Sequence, residues 1–329
     1  MPKYAFTTQL SKKEPSGLTA KVKNLFWGCK LLSKHGFPTK AFHFGGGLGD
    51  HLLCTTVFHE LNVRGIKGCW MLSHYPEIFQ NNPYNLNIVP DDWKTLKLLE
   101  KIGRPSTLLY YGQWIGNIDK VNPPKKHIIS EIIQNGEIDG EIKMRPYWYG
   151  NLSEMPIKPR RHFICVQSTQ TKSSTPMLNK QWDETRMESV IDALSYKYDI
   201  VQLGTPEEAR LKNTIDGTSL SISESASMLA HSEFFLGQVG FLMHLARAVN
   251  KRSVIIYGGR EKAWQSGYPC NENIEVEIPC SPCWQNNGCH LDRACLSMIS
   301  VEQVLNTVSK LERRLPTQLE TETFQGFKN

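Results

Sequence analysis

Two groups of residues in this sequence have types and spacing that could do chemistry. The first is Gly45-Gly46-Gly47-Leu48-Gly49-Asp50, a glycine-rich turn that ends on a carboxylate. Glycines allow a tight turn and a close ligand approach. The spacing is not a dinucleotide fingerprint. Counted from Gly45 the third required glycine falls on Asp50, and counted from Gly47 it falls on Leu52. Nor does a lysine followed by serine or threonine close the turn, as a nucleotidase phosphate loop requires. Asp50 stands where the turn meets an expected helix. A carboxylate there either caps the helix or, at the mouth of a cleft, takes the proton of an attacking hydroxyl.

The second group is the thiol set Cys280, Cys283, Cys289 and Cys295, with Cys270 upstream. The two-residue gap of Cys280-Ser281-Pro282-Cys283 lets two thiolates face one ion, and four sulfurs complete a tetrahedron. Zinc is the chemical default and iron competes for the same geometry. A loop stapled by disulfides, or packed free thiols, is the other reading. His290 could stand in for one sulfur. A four-sulfur site leaves no open coordination position, so its role would be structural. Cys29, Cys54, Cys69 and Cys165 are dispersed and are expected to be small buried apolar residues.

Further polar groups fall at the ends of expected strands in the second half. Gln167–Ser174, which contains Thr169, with Lys180 beyond it, offers hydroxyls and a cation to a diphosphate, or is simply a solvated loop. Gly204 is followed by Glu207 and Glu208, carboxylates that could bind ribose hydroxyls or begin a helix. Gly237-Gln238-Val239-Gly240 precedes a helix carrying His244, and glycines before a helix N-terminus suit an anion. His244 can equally be a packed histidine.

These residues need a frame. The chain has 329 residues, 40% hydrophobic and 21% charged, which excludes a disordered or fibrous chain and suggests two domains. The formal charge of +6 suits an anionic ligand, but the basic residues are scattered rather than striped, which argues against nucleic acid. The start lacks the apolar core of a signal peptide and no stretch approaches ~20 apolar residues, so a cytoplasmic protein is expected. Residues 1–37 read as an arm or as an early strand and helix. Strand 41–44, the glycine turn and a helix with Leu53, Val57, Phe58 and Leu61 at helical spacing begin an α/β unit. Strands follow at 69–72 and 87–89. Prolines 146, 156 and 159 mark a linker. Strands are then expected at 163–167, 199–203, 234–236 and 253–257, separated by helices at 183–197, 223–230 and 241–249, with a terminal helix at 301–315. Four such strands imply a second parallel sheet. The expected domains are 1–155, on the acceptor side, and 156–310, binding nucleotide and carrying the Cys-rich loop 270–298. Residues 311–329 would form a helix end and tail.

In order and spacing these stations resemble glycosyltransferase family 9, the heptosyltransferase family, over roughly residues 40–310. The anchors are Gly49-Asp50, Lys180-Gln181-Trp182, the Gly204 turn with its glutamates, Met243-His244-Leu245-Ala246-Arg247-Ala248, Val254–Gly259 and Cys280–Trp284 with the later cysteines. The resemblance implies the GT-B fold, two Rossmann-like α/β domains facing across a cleft. It implies an inverting transferase that moves a sugar, ADP-heptose being typical, from a nucleotide-diphosphate donor to a hydroxyl of a glycan or protein. By it Asp50 matches the catalytic base and Lys180 the cation facing the donor phosphates. Glu207 or Glu208 matches the acid near the ribose. Gly240 and His244 match the phosphate-facing turn and its helix, and Gly47, Gly49, Thr169 and Gly204 complete the donor side. The cysteines resemble the iron-bearing finger of bacterial protein heptosyltransferases that modify autotransporter adhesins. A homo-oligomer and a position close to a membrane surface fit the same family. One departure stands out: where the family commonly has Asp, then Ser or Thr, then Gly, this chain has Gln238-Val239-Gly240, with an extra residue before His244. The competing readings are a catalytically weak GT-B scaffold that binds a partner, and another Rossmann-like nucleotide-sugar enzyme.

Overall fold

A computed structural model describes residues 18–114, 121–168, 177–315 and 323–324. The first part runs α1 (Leu18–His35), β1 (Ala41–His43), α2 (Leu48–Val63), β2 (Trp70–Leu72), β3 (Asn87–Val89), α3 (Trp93–Lys101) and β4 (Ser106–Leu108). A short ribbon, β5 (Gln113–Trp114) and β6 (Val121–Asn122), precedes α4 (Ile128–Asn135) and β7 (Ile142–Lys143). The second part runs β8 (Phe163–Val166), α5 (Glu184–Ser195), β9 (Asp199–Leu203), β10 (Ile215–Gly217), α6 (Ile222–His231), β11 (Phe235–Gln238) and α7 (Phe241–Ala248). It continues with β12 (Ser253–Ile256), α8 (Ala263–Ser266), β13 (Glu272–Ile274), α9 (Ala294–Ser297) and α10 (Val301–Arg313). A final β14 (Thr323–Phe324) pairs antiparallel with β7.

Two parallel sheets carry the structure. The first has the order β3-β2-β1-β4 and the second β10-β9-β8-β11-β12-β13. A central strand of the second sheet reads as an unbroken apolar run, Phe163-Ile164-Cys165-Val166, because helices cover both faces. The sequence led us to expect four strands in this sheet, and the structure has six. The additions, Ile215-Asp216-Gly217 and Glu272-Asn273-Ile274, are three-residue edge strands too polar to show a strand period. Residues 18–35 form a helix, and Cys29 on it is exposed rather than buried as expected; Cys54, Cys69 and Cys165 are buried.

The two lobes meet along α2 and α7. Residues 51–58 of α2 are all buried, so every side of that helix is covered, which is the signature of a helix within a core. All of 242–248 in α7 is buried too. One apolar cluster therefore runs from Phe42, Leu53 and Phe58 in the first lobe through Leu242 and Leu245 to Phe235 and Ile255 in the second. At its edge Ser227 Oγ donates to the carbonyls of Leu152 and Glu154 at 3.2 and 2.6 Å, fastening the connecting segment to α6. Leu245→Ala, in the middle of this junction, is expected to cost about 2–5 kcal/mol. The check is a lower urea midpoint with an unchanged slope.

Candidate functional site

In parallel sheets the carboxyl ends of the strands share one edge, and ligands collect there where the strand order reverses. In the first sheet β1 runs directly into the glycine turn, and α2 begins with Asp50 in its first turn. The Gly47 N–H donates to Asp50 Oδ2 at 2.7 Å, filling one of the open donors of a helix start. The Tyr111 hydroxyl donates to Oδ1 at 2.6 Å. Asp50 thus caps its helix and still keeps a second lone pair on each oxygen. Gly46, one of the four glycines of the turn, is required by space. A Cβ there would lie 2.1 Å from Asp50 Oδ2 and 2.5 Å from the Phe44 ring. Gly49 faces the other lobe, where a Cβ would stand 3.6 Å from Phe241 Cα and 3.8 Å from the His244 ring.

Across the junction stand two cations. Lys180 ends a short 3-10 turn, Leu178–Lys180, and Arg260 follows β12. Lys180 Nζ lies 2.6 Å, and Arg260 Nη1 2.9 Å, from the same oxygen of Glu261. Arg260 Nε and Nη2 also donate to Asn286 Oδ1 at 3.1 and 3.0 Å, and its guanidinium lies 4.6 Å above the Trp284 ring. Burial would raise the Glu261 carboxyl, but the charges of Lys180 and Arg260 outweigh it and hold it at about 2. For Asp50 burial is the larger effect and raises its pKa above the ordinary value, against the Tyr111 and Gly47 hydrogen bonds and the charges of Lys180 and Arg260. A base shifted upward from the usual carboxylate range is better matched to a neutral operating pH. Its sequence neighbour His51 points into the core, where Ser73 Oγ meets Nδ1 at 2.9 Å and burial lowers it to about 4.

The second sheet supplies a polar edge. Its order reverses between β9-β8 and β8-β11, and Ser168 and Gln238 close the two strands on either side of that point. Gln238 Nε2 donates to the Ser168 carbonyl. Gln238 Oε1, Ser168 Oγ, Thr205 Oγ1 and Glu208 Oε2 are buried with no hydrogen-bond partner among the described residues. Of the two glutamates, Glu207 is exposed and Glu208 is buried over the Gly204 turn, where a Cβ would meet Glu208 Oε2 at 2.1 Å. Burial raises the Glu208 carboxyl to about 7, against its hydrogen bond with Gln167. Gly240 precedes α7, and His244 within that helix is buried, its Nδ1 2.7 Å from the Tyr268 hydroxyl; burial lowers it to about 3. It is a neutral, hydrogen-bonded group behind Gly49. Thr169 lies outside the described residues.

The Cys-rich segment wraps the cations. Gly258 and Gly259 let it approach: a Cβ at Gly258 would meet the Asn179 carbonyl at 2.9 Å, and one at Gly259 the Cys295 sulfur at 2.9 Å. Asn179 Nδ2 donates to the carbonyls of Gln285 and Gly288, both at 3.0 Å. The thiols are free. Burial raises Cys283 and Cys295, and neighbouring sulfurs add to it: Cys280 and Cys295 act on Cys283, Cys289 and Cys280 on Cys295. The four therefore share one neighbourhood. The expected tetrahedral set is nevertheless not closed. Among the described residues no group of three or more His, Cys, Asp or Glu side chains stands close enough to hold a metal ion. Cys289 is exposed and accepts the Arg293 N–H at 3.2 Å. The sequence reading missed Arg260, Glu261, Tyr111 and Asn286. The signal for the first two was present, a charged pair directly after strand β12 and two glycines.

No known family's sequence model matches this chain, and no curated protein sequence does either. Solved structures do resemble it. The bacterial iron-containing dodecameric glycosyltransferase TibC of enterotoxigenic E. coli H10407 matches with a TM-score of 0.61 and 18% identity, over 83% of this chain and 76% of that one. A family 9 glycosyl transferase of Veillonella parvula gives 0.56 and 15%, over 83% and 97%. The ADP-heptose LPS heptosyltransferase II of E. coli gives 0.58 and 11%, over 86% and 100%. This likeness defines the fold: the chain has the GT-B architecture, two α/β lobes, each built on a sheet, facing a cleft.

Glu208 gives a test of the polar edge. Its folded value of about 7 against an ordinary 4.5 means the folded state holds the extra proton between those limits. Stability then falls as pH rises through that window. Glu208→Gln is expected to match the wild type at pH 4 and to melt higher at pH 8, by roughly 2–4 °C per kcal/mol recovered. Melting curves at the two pH values check it.

Proposed function

We propose that this protein is an inverting glycosyltransferase that moves a sugar from a nucleotide-diphosphate donor to a hydroxyl of a glycan or protein, with ADP-heptose the first donor to try. The observation that carries the reading is a carboxylate from one lobe, Asp50, set against two cations of the other, Lys180 and Arg260. That pairing suits a displacement at an anomeric carbon. Asp50 takes the acceptor proton as the oxygen attacks. On the far side Lys180 and Arg260 neutralise the departing diphosphate, with the amides at the start of α7. The buried atoms of Ser168, Gln238, Thr205 and Glu208 that have no partner among the described residues are where the nucleoside would find hydrogen bonds, Glu208 toward the ribose. The contact between α2 and α7 keeps water from the reacting atoms. The GT-B likeness supports the reaction class, and the donor sugar rests on the resemblance to heptosyltransferases.

The four thiols suit a structural metal in their chemistry, a sulfur donor set in one neighbourhood, although they are not gathered at ligand distance. Iron or zinc bound there would tie the segment that holds Arg260 and Lys180 in place. Cys283→Ser is expected to lower the metal content from about one ion per chain and to lower the melting temperature. Elemental analysis of protein purified without added metal checks this, and protein without metal in which Cys280, Cys283, Cys289 and Cys295 all react as free thiols would remove the assignment.

For the reaction, a thermal-shift panel of ADP-, GDP-, UDP-, CDP- and dTDP-linked sugars identifies the donor. Asp50→Asn is then expected to reduce kcat by about 10²–10⁴ while nucleotide binding stays nearly intact. Equal loss of both would make Asp50 a fold residue and end the proposal.

A further inference from the structure

We infer that Tyr111 is the positioning residue for Asp50, fixing which carboxylate edge faces the cleft and anchored in turn by Trp284 of the opposite lobe. The inference rests on the reading of Asp50 as the base, and goes beyond it in naming what orients that base.

The geometry comes from the sheet. β1 and β4 are parallel neighbours, so the segments leaving their carboxyl ends run side by side. One carries Asp50 and the other Tyr111, 61 positions apart in sequence. The hydroxyl–carboxylate distance of 2.6 Å is that of a charge-assisted bond. With Gly47 on Oδ2 and Tyr111 on Oδ1, the carboxylate has a donor on each oxygen, and turning it breaks one of them. The Tyr111 ring is held on two sides, by Phe44 at 5.9 Å and, edge-on, by Trp284 at 6.3 Å. Trp284 is itself fixed: it is buried, its Nε1 donates to Gln265 at 3.1 Å, and its backbone N–H donates to the Arg260 carbonyl at 2.8 Å. The residue that supports Arg260 thus also backs the ring that aims Asp50.

The charges around the pair set the direction of any change. Asp50 feels Lys180 and Arg260 from the second lobe and faces Cys54 one turn along its own helix. Tyr111 feels Glu261 and Arg260, and burial keeps it protonated. His244 beside Gly49 is neutral. Removing the hydroxyl takes away a bond that favours the ionised carboxylate and leaves burial to push the other way.

Tyr111→Phe keeps the ring and deletes the donor. In the full chain we expect unchanged ADP affinity by calorimetry and a melting temperature lowered by only a few degrees, roughly the loss of one hydrogen bond. With the best donor from the panel, kcat should fall about tenfold with the donor KM within about twofold, and the acid limb of the kcat profile should move up by about one pH unit. Carbon NMR of aspartate-labelled protein, with Asp50 assigned from Asp50→Asn, should show the Asp50 titration moving the same way. An unmoved Asp50 titration, or a parallel fall in kcat and ADP affinity with a larger drop in melting temperature, overturns the inference. If the wild type transfers no sugar at all, the transferase reading fails while the NMR titration still decides the role of Tyr111.

Discussion

A half-buried carboxylate at the meeting of two lobes is the constraint on which this structure turns. Burying such a charge costs several kcal/mol unless hydrogen bonds and counter-charges repay it. Asp50 draws on four sources: the Gly47 amide and the Tyr111 hydroxyl from its own lobe, and Lys180 and Arg260 from the other. The two cations can act only because the carboxyl ends of both sheets face each other. The apolar contact between α2 and α7 enforces that arrangement and supplies the burial that makes the compensation necessary. Glu261 then keeps the two cations together, at the cost of being buried itself.

One buried polar residue of the second lobe shows what full satisfaction looks like. Gln202, buried in β9, donates to the Ala209 carbonyl at 2.7 Å and accepts from the Leu211 amide at 2.9 Å. At the carboxyl ends of β8, β9 and β11 the accounting is different. Ser168, Thr205, Glu208 and Gln238 each keep a buried atom without a partner in the described structure. Folded proteins tolerate few such atoms, and those they keep call for an explanation. All four follow or end the neighbouring strands β8, β9 and β11, at the edge where ligands collect in parallel sheets.

The Cys-rich segment is less an appendage than a wall of this site. Asn286 takes two hydrogen bonds from Arg260, Trp284 lies under the same guanidinium, and the carbonyls of Gln285 and Gly288 hold Asn179 beside Lys180. Cys280 and Cys283 directly precede this stretch in the chain, and Cys289 and Cys295 follow it. Whatever ties them, metal or packing alone, acts on the two cations through only a few residues.

The sequence by itself determined the alternation of strands and helices, the two parallel sheets, the turn that delivers Asp50 into a helix start, and the strand end near Lys180. These are local: hydrophobic period, glycine and capping residues act within a few positions. It did not reveal the polar edge strands β10 and β13, whose pairing comes from their neighbours in the sheet. It left Glu207 and Glu208 equivalent, until the Gly204 turn buried the second and exposed the first. Tyr111 and Asn286 gained their meaning only in three dimensions, because strand order brings Tyr111 to Asp50 and chain folding brings Asn286 to Arg260. Burial was the other decision of the tertiary structure: a carboxylate, a lysine and a histidine are ordinary residues in a sequence, and it is the closing of two lobes around them that changes their protonation and gives them partners.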